Sequence, residues 1–219
     1  MEGALSSSRP VTALVFDMDG TLIDSKTVVP DSYIAAIRAA GGPTIRREQV
    51  IERYSLGPPR VLMSHFLERP ATEREVNRYH EILANNAGRV SPYPGVREVL
   101  EELEGNAPLA VFTGASRRAC DSLLRATSLR GFFQTVVGGD EVDHPKPEPD
   151  GIVLACDRLR VNQDEVAYVG DAPVDLEAAR RCAVLAVAAA WGHQYSPSVH
   201  ADVVAQHPRD LLTLVDASR

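Results

Sequence analysis

The stretch Val11–Ser25 reads VTALVFDMDGTLIDS, an apolar half followed by an acidic one. Val11, Ala13, Leu14, Val15 and Phe16 form a short apolar run suited to a buried strand, and it stops at Asp17, Met18, Asp19, Gly20 and Thr21. Two carboxylates one residue apart at the end of such a strand lose hydration, so each needs a cation, a donor or water in return. The pair therefore marks a site. An Asp-x-Asp-Gly run also opens calcium loops, where a later carboxylate completes the oxygen shell. Here the next acidic residue is Asp24, and that later ligand is missing.

Outward from this stretch the chain changes period twice. Between Asp31 and Gly88 the apolar residues recur at helical spacing: Tyr33, Ile34 and Ile37, then Val50, Ile51 and Tyr54, then Val61, Leu62 and Leu67, then Val76, Tyr79, Ile82 and Leu83. Breaks at Gly41–Pro43, Gly57–Pro59 and Pro70 divide this block into about four helices. From Ser91 onward strands and helices alternate. Strands are expected at Leu109–Phe112, Thr135–Val137, Val166–Val169, Val184–Ala188 and around Val203. Helices are expected at Val96–Glu104, Ser116–Thr127 with Ser116 as its cap, Pro149–Leu159, Val174–Arg181 and Pro208–Val215. Alternation of this kind implies a parallel sheet with helices on both faces, whose ligand lies at the carboxyl ends of the strands. Asp17 and Asp19, Thr113 and Gly114, and Asp171 and Asp175 should therefore converge.

Composition narrows the function classes. The 219 residues are 44% hydrophobic and 24% charged, as in an ordinary globular protein with a real core. A formal net charge of -7 argues against a nucleic-acid or anionic-membrane partner, since such binding rests on clustered positive charge. Cys120, Cys156 and Cys182 are odd in number and lack metal-ligand spacing, which fits a reducing cytoplasm and structural thiols. Residues 1–10 have no apolar h-region and read as a flexible tail, and the longest apolar stretch, Ala183–Trp191, falls far short of a membrane span. Lys26 and Lys146 are the chain's two lysines, so a lysine is informative here.

Four segments now stand in order: DMDGTL at Asp17–Leu22, TGASR at Thr113–Arg117, KPEPD at Lys146–Asp150 and GDAPVD at Gly170–Asp175. In type, order and spacing they resemble the four motifs of the haloacid dehalogenase superfamily, especially its phosphoglycolate phosphatase-like and beta-phosphoglucomutase-like members. The resemblance covers nearly the whole chain. It implies an α/β fold: a Rossmann-like doubly wound parallel sheet core, residues 11–24 and 91–219, with an inserted helical cap at residues 25–90.

The chemistry of such a site can be argued from charge. A phosphate monoester is an anion that resists anionic attack, so the site must neutralise charge and hold a nucleophile in line. Mg2+ on oxygen ligands does the first, and Asp17 and Asp171 are the candidate side-chain ligands. The resemblance adds the backbone carbonyl of Asp19 and makes Asp175 an outer or water-mediated ligand. It also implies that Asp17 attacks phosphorus to give an aspartyl phosphate while Asp19 protonates the leaving oxygen and later activates water. Thr113, Gly114 and Lys146 are the candidate phosphate-binding residues, Lys146 being stiffened by Pro145 and Pro147. Asp171 and Asp175, four apart, also suit the capping and first turn of a helix begun by Pro173. Asp24 suits a turn cap, and Tyr54 suits the core.

In the cap, Arg53, Arg60 and His65 lie near the loop Ser55–Pro59 and are candidate substrate-specificity residues, an arginine there being able to hold a second anion. The expected reaction is magnesium-dependent hydrolysis of a small phosphorylated metabolite. A phosphomutase would keep every core residue, and TGASR resembles the mutase motif as much as the phosphatase one. A receiver-like aspartyl-phosphate switch shares the residue types, but the DMD pair on one strand and the helical insertion argue against it.

Overall fold

The computed structural model describes residues 11–215; the tail expected at residues 1–10 lies outside the described residues. The opening strand is β1 (Ala13–Phe16), followed by the two-residue β2 (Ile23–Asp24). Four helices come next: α1 (Val28–Ala39), α2 (Arg47–Ile51), α3 (Pro59–Leu67) and α4 (Glu73–Asn86), with a 3₁₀ turn at Tyr54–Leu56. The chain returns through β3 (Ser91–Pro92), which pairs antiparallel with β2. Strands of two residues are too short to show a period in the sequence.

The remainder alternates: α5 (Val96–Leu103), β4 (Leu109–Phe112), α6 (Arg117–Ala126), β5 (Thr135–Val137), α7 (Asp150–Leu159), β6 (Val166–Gly170), α8 (Pro173–Arg181), β7 (Leu185–Ala189) and β8 (Val203–Ala205). The final segment is a 3₁₀ stretch, Pro208–Thr213, where a helix to Val215 was expected. Strand order is β5-β4-β1-β6-β7-β8, every pair parallel. It is the doubly wound α/β sheet expected from the alternation, with a helical cap inserted after the first strand.

Alternation along β1 explains its central place. Leu14 and Phe16 pack into one core with Leu109, Val111 and Val169, while Ala13 and Val15 pack into a second with Ala110, Phe112 and Tyr168. Both faces are thus covered, which is why the strand carries no polar residue until it ends at Asp17. The three cysteines are free and buried. No helix among the described residues is long and apolar enough to cross a membrane.

One polar seam joins the inserted helices to the sheet layer. Ser116 caps α6, accepting from the Ala119 N–H at 3.3 Å, and its hydroxyl also meets His80 Nε2 of α4 at 2.7 Å. Arg118 Nη1 donates to Asn77 Oδ1 at 2.7 Å beside it. Burial, reinforced by Arg118, holds the His80 pKa below the usual histidine value. A depressed folded-state pKa means that the unfolded chain takes up the proton first. The seam's contribution is therefore whole above about pH 6.5 and is lost as pH falls below it. In calorimetric scans between about pH 7 and pH 5, His80→Gln should lose Tm less steeply on acidification than the parent. An equal slope would contradict this assignment.

Candidate active site

The convergence expected at the strand ends is realised by backbone geometry. Asp17 follows β1, and its N–H donates to the Val169 carbonyl of β6 at 2.8 Å, which ties the two strand ends together. Gly20 then turns the chain at φ +95°, and a Cβ there would lie 2.3 Å from a carboxylate oxygen of Asp171. A glycine is required both for that left-handed turn and for the close approach. Gly192 packs against Asp171 from the other side, where a Cβ would lie 2.2 Å from the aspartate's own. Asp175 sits in the first turn of α8 and accepts from the Ala172 N–H at 2.9 Å, so it serves as a helix-start acid as well as a site residue.

Lys146 occupies the loop between β5 and α7 and is buried. Its Nζ donates to Asp17 Oδ1 at 2.6 Å and to Asp175 Oδ1 at 2.7 Å, and it lies 5.0 Å from the centre of the Phe112 ring and 5.6 Å from that of Tyr168. Burial acts to lower its pKa, yet Asp17 and Asp175 together hold it well above the usual lysine range. The lysine is a fixed cation. Asp17 is pushed up by burial, opposed by Lys146, with Asp175, Asp171 and Asp19 adding to the rise. Asp171 is pushed up to about 7 by burial and then by Asp175, against the Gln194 N–H that donates to it at 2.8 Å. Asp19 is raised by burial, moderated by the Ser25 hydroxyl that donates to its Oδ1 and by Lys146.

Carboxylate oxygens of Asp17, Asp171 and Asp175 lie within 4.8 Å of one another. Three buried carboxylates facing one ammonium leave excess negative charge, and an all-oxygen donor set suits a hard divalent cation. Asp175 takes the most donors, from Lys146, the Ala172 N–H and Tyr168 Oη, whereas Asp171 accepts from the Gln194 N–H and, at 3.4 Å, from the Thr21 hydroxyl, and Asp17 accepts from Lys146 at one oxygen. The residues fit a cation held mainly by those two.

Above this cluster is a cavity of about 450 Å³. Asp17, Asp19, Thr113, Gly114, Lys146 and Asp175 line its sheet side. Thr113 is buried and its Oγ1 accepts from the Ala115 N–H at 3.1 Å, which fixes the loop after β4. Val29, Tyr33, Ile51, Tyr54 and Tyr79 line the opposite wall, so Tyr54 is a cavity residue as well as a packed one. Arg53, Arg60 and His65 do not line the cavity. Arg60 donates to the Ala71 carbonyl at 3.0 Å, the His65 ring rests on Phe66 at 5.1 Å, and Arg53 is exposed. On α3 the buried face belongs to Leu62 and Met63, which turns residues 60 and 65 outward.

Several contributors were not singled out in the sequence. Ser25, fully buried, holds Asp19; Trp191 Nε1 donates to the Thr21 carbonyl at 2.9 Å; Tyr168 Oη donates to the Phe112 carbonyl at 3.0 Å and lies 3.4 Å from Asp175 Oδ1. Gln194 acts through its backbone N–H, so its side chain carried no signal. Asp24 forms a turn with Lys26, its Oδ1 accepting from the Lys26 N–H at 3.4 Å.

An α/β sheet with an inserted helical cap, bearing an Asp-x-Asp strand end, a buried lysine and a further acidic pair, defines a class of hydrolase. Residues 14–189 match the family model of the haloacid dehalogenase-like hydrolases, and the chain belongs to that family. It is 30% identical to a phosphoglycolate phosphatase of Aquifex aeolicus, over 93% of this chain and 96% of that one. It is 27% identical to the pyrophosphatase PpaX of Oceanobacillus iheyensis, over 95% and 98% of the two chains. The fold is also that of a mutant CbbY from Rhodobacter sphaeroides crystallised with xylulose-1,5-bisphosphate, with a TM-score of 0.82, 21% identity and coverage of 94% and 100%.

Proposed function

We propose that the protein is a magnesium-dependent phosphatase that hydrolyses a small phosphate monoester through an aspartyl-phosphate on Asp17, within a core of residues 11–24 and 91–219 and beneath a cap of residues 25–90. The observation that carries this reading is the pairing of Asp17 with Lys146 Nζ at 2.6 Å, beside Asp19, at the floor of one cavity. Mg2+, held by Asp17, Asp171 and the Asp19 carbonyl with Asp175 as an outer ligand, would neutralise phosphoryl charge.

The chain's own groups supply the rest. Lys146 fixes the orientation of Asp17 and offers positive charge to a phosphoryl oxygen, while Thr113 and Gly114 offer a hydroxyl and a backbone N–H. Asp17 is the nucleophile: its oxygen forms a bond to phosphorus as the bond to the alcohol oxygen breaks. Asp19 gives that oxygen a proton and then takes one from the water that attacks the phosphorus of the aspartyl phosphate, restoring Asp17. A buried carboxyl with a raised pKa suits this task, and Ser25 holds it in place. The relatives named phosphatases support the activity, and the three buried free thiols support a reducing, cytoplasmic setting.

Asp19→Ala should slow phosphate release from an alkyl monoester by about 10²-fold or more, the usual contribution of general acid–base catalysis. Release measured with Mg2+ checks this, and parent-like turnover would remove Asp19 from the mechanism. Chelating the metal should abolish release from the parent, and adding Mg2+ should restore it.

A further inference from the structure

We propose that this cavity selects monoesters of uncharged, largely apolar or aromatic alcohols and rejects monoesters carrying a second anionic group. The inference rests on the phosphatase reading above. It deepens that reading by naming the substrate class.

The two sides of the cavity differ in charge. Among the described lining residues Lys146 is the one cation, and it already serves Asp17 and Asp175. On the cap wall the one charged residue is Glu52, at the end of α2 and exposed. The other groups there are chiefly Val29, Ile51 and the three tyrosines. A carboxylate or second phosphoryl group reaching this wall would lose water without gaining a cation, and Glu52 would repel it. Arg53 and Arg60, the cap arginines nearest in sequence, are not among the lining residues.

The wall does suit a neutral organic group. The rings of Tyr33 and Tyr79 stack at 4.1 Å with an angle of 25° between their planes, a preformed and largely buried aromatic pair that backs this wall. The Tyr54 hydroxyl is buried with no hydrogen-bond partner. Such a group is a neutral donor for one oxygen of the alcohol portion. Burial and the nearby Asp19 and Tyr33 raise its pKa, so it stays protonated. Phosphoglycolate carries a carboxylate and pyrophosphate a second phosphoryl group, so this chain's preference should diverge from those of the relatives so named.

Binding separates this proposal from the hydrolysis claim. With Mg2+ present, calorimetry on the full chain would compare benzylphosphonate, methylphosphonate, 4-carboxybenzylphosphonate and phosphonoacetate. None of these four can be hydrolysed as an ester. Benzylphosphonate is expected to bind on the order of tenfold more tightly than its carboxylated counterpart and than either small phosphonate. Glu52→Gln should narrow the gap between the two benzyl compounds by about two- to threefold. Equal or tighter binding of the carboxylated compounds would overturn the proposal. In parallel, phosphate release from benzyl phosphate and phosphoglycolate is measured. Absence of release from either, with the binding preference intact, would refute hydrolysis and leave the substrate class standing.

Discussion

Asp17→Asn should leave a protein that melts within a few degrees of the parent and releases phosphate at least about 10³-fold more slowly. The two halves of this expectation have separate causes. Asparagine keeps the shape and an acceptor oxygen for the Lys146 Nζ, now 2.6 Å from Asp17, and Lys146 retains its second partner Asp175 at 2.7 Å. Removing one of four neighbouring carboxylates also relieves the crowding that raises the Asp17 pKa after burial has done so. Stability therefore changes little. The amide oxygen is a far poorer nucleophile toward phosphorus, and no other acidic group follows β1 at the same point. Parallel calorimetry and phosphate release check the prediction. Near-normal release would remove Asp17 as nucleophile, and a collapsed fold would show that its charge is structural.

Lys146→Met should do the reverse and strike stability as hard as activity. The ammonium is buried between Asp17 and Asp175, with Asp171 close by. Its loss leaves buried carboxylates without a cation, which costs about 3–5 kcal/mol for a broken buried pair. For a chain of this size that corresponds to a fall in Tm of roughly 6–20 °C. The sign of the pH dependence follows from the carboxylates. Burial raises Asp17 well above its usual value and Asp171 to about 7, so the folded state binds their protons more tightly than the unfolded chain does. Stability that protonation provides is present at low pH and lost as pH rises through these folded-state values. The variant's deficit should therefore be larger at about pH 8 than at about pH 6, and Mg2+ should recover part of it at the higher pH. An unchanged Tm, or a deficit that grows on acidification, would contradict the role of Lys146 as the site's neutralising cation.

Much of this arrangement was legible because a parallel sheet collects the residues that follow its strands. Asp17, Thr113 and Asp171 each end an apolar run, so topology alone places them at one edge, and the scarcity of lysine sets Lys146 apart. The period of the helical block likewise identified the insertion. What escaped reading depends on contacts rather than on pattern. Gly20 and Gly192 matter because both abut Asp171, and each looks like any turn glycine in the sequence. Ser25 stands in the sequence only as the first residue of the helical insertion, yet it holds Asp19. Arg60 and His65 are near the expected specificity loop in sequence, but the α3 face that carries Leu62 and Met63 is the buried one. The cavity wall instead uses Tyr33, Tyr54 and Tyr79, whose helical spacing reads as core until the opposite side of the cavity is known.

Chemical trapping of the acyl phosphate tests the central claim most directly. The enzyme is mixed with excess substrate and Mg2+, quenched in acid, reduced with borohydride and digested for peptide mass spectrometry. An aspartyl phosphate is reduced to homoserine, whereas a free carboxylate is not. The account predicts homoserine at position 17, dependent on substrate and absent from Asp17→Asn. Homoserine at another position, or none during sustained turnover, would contradict it.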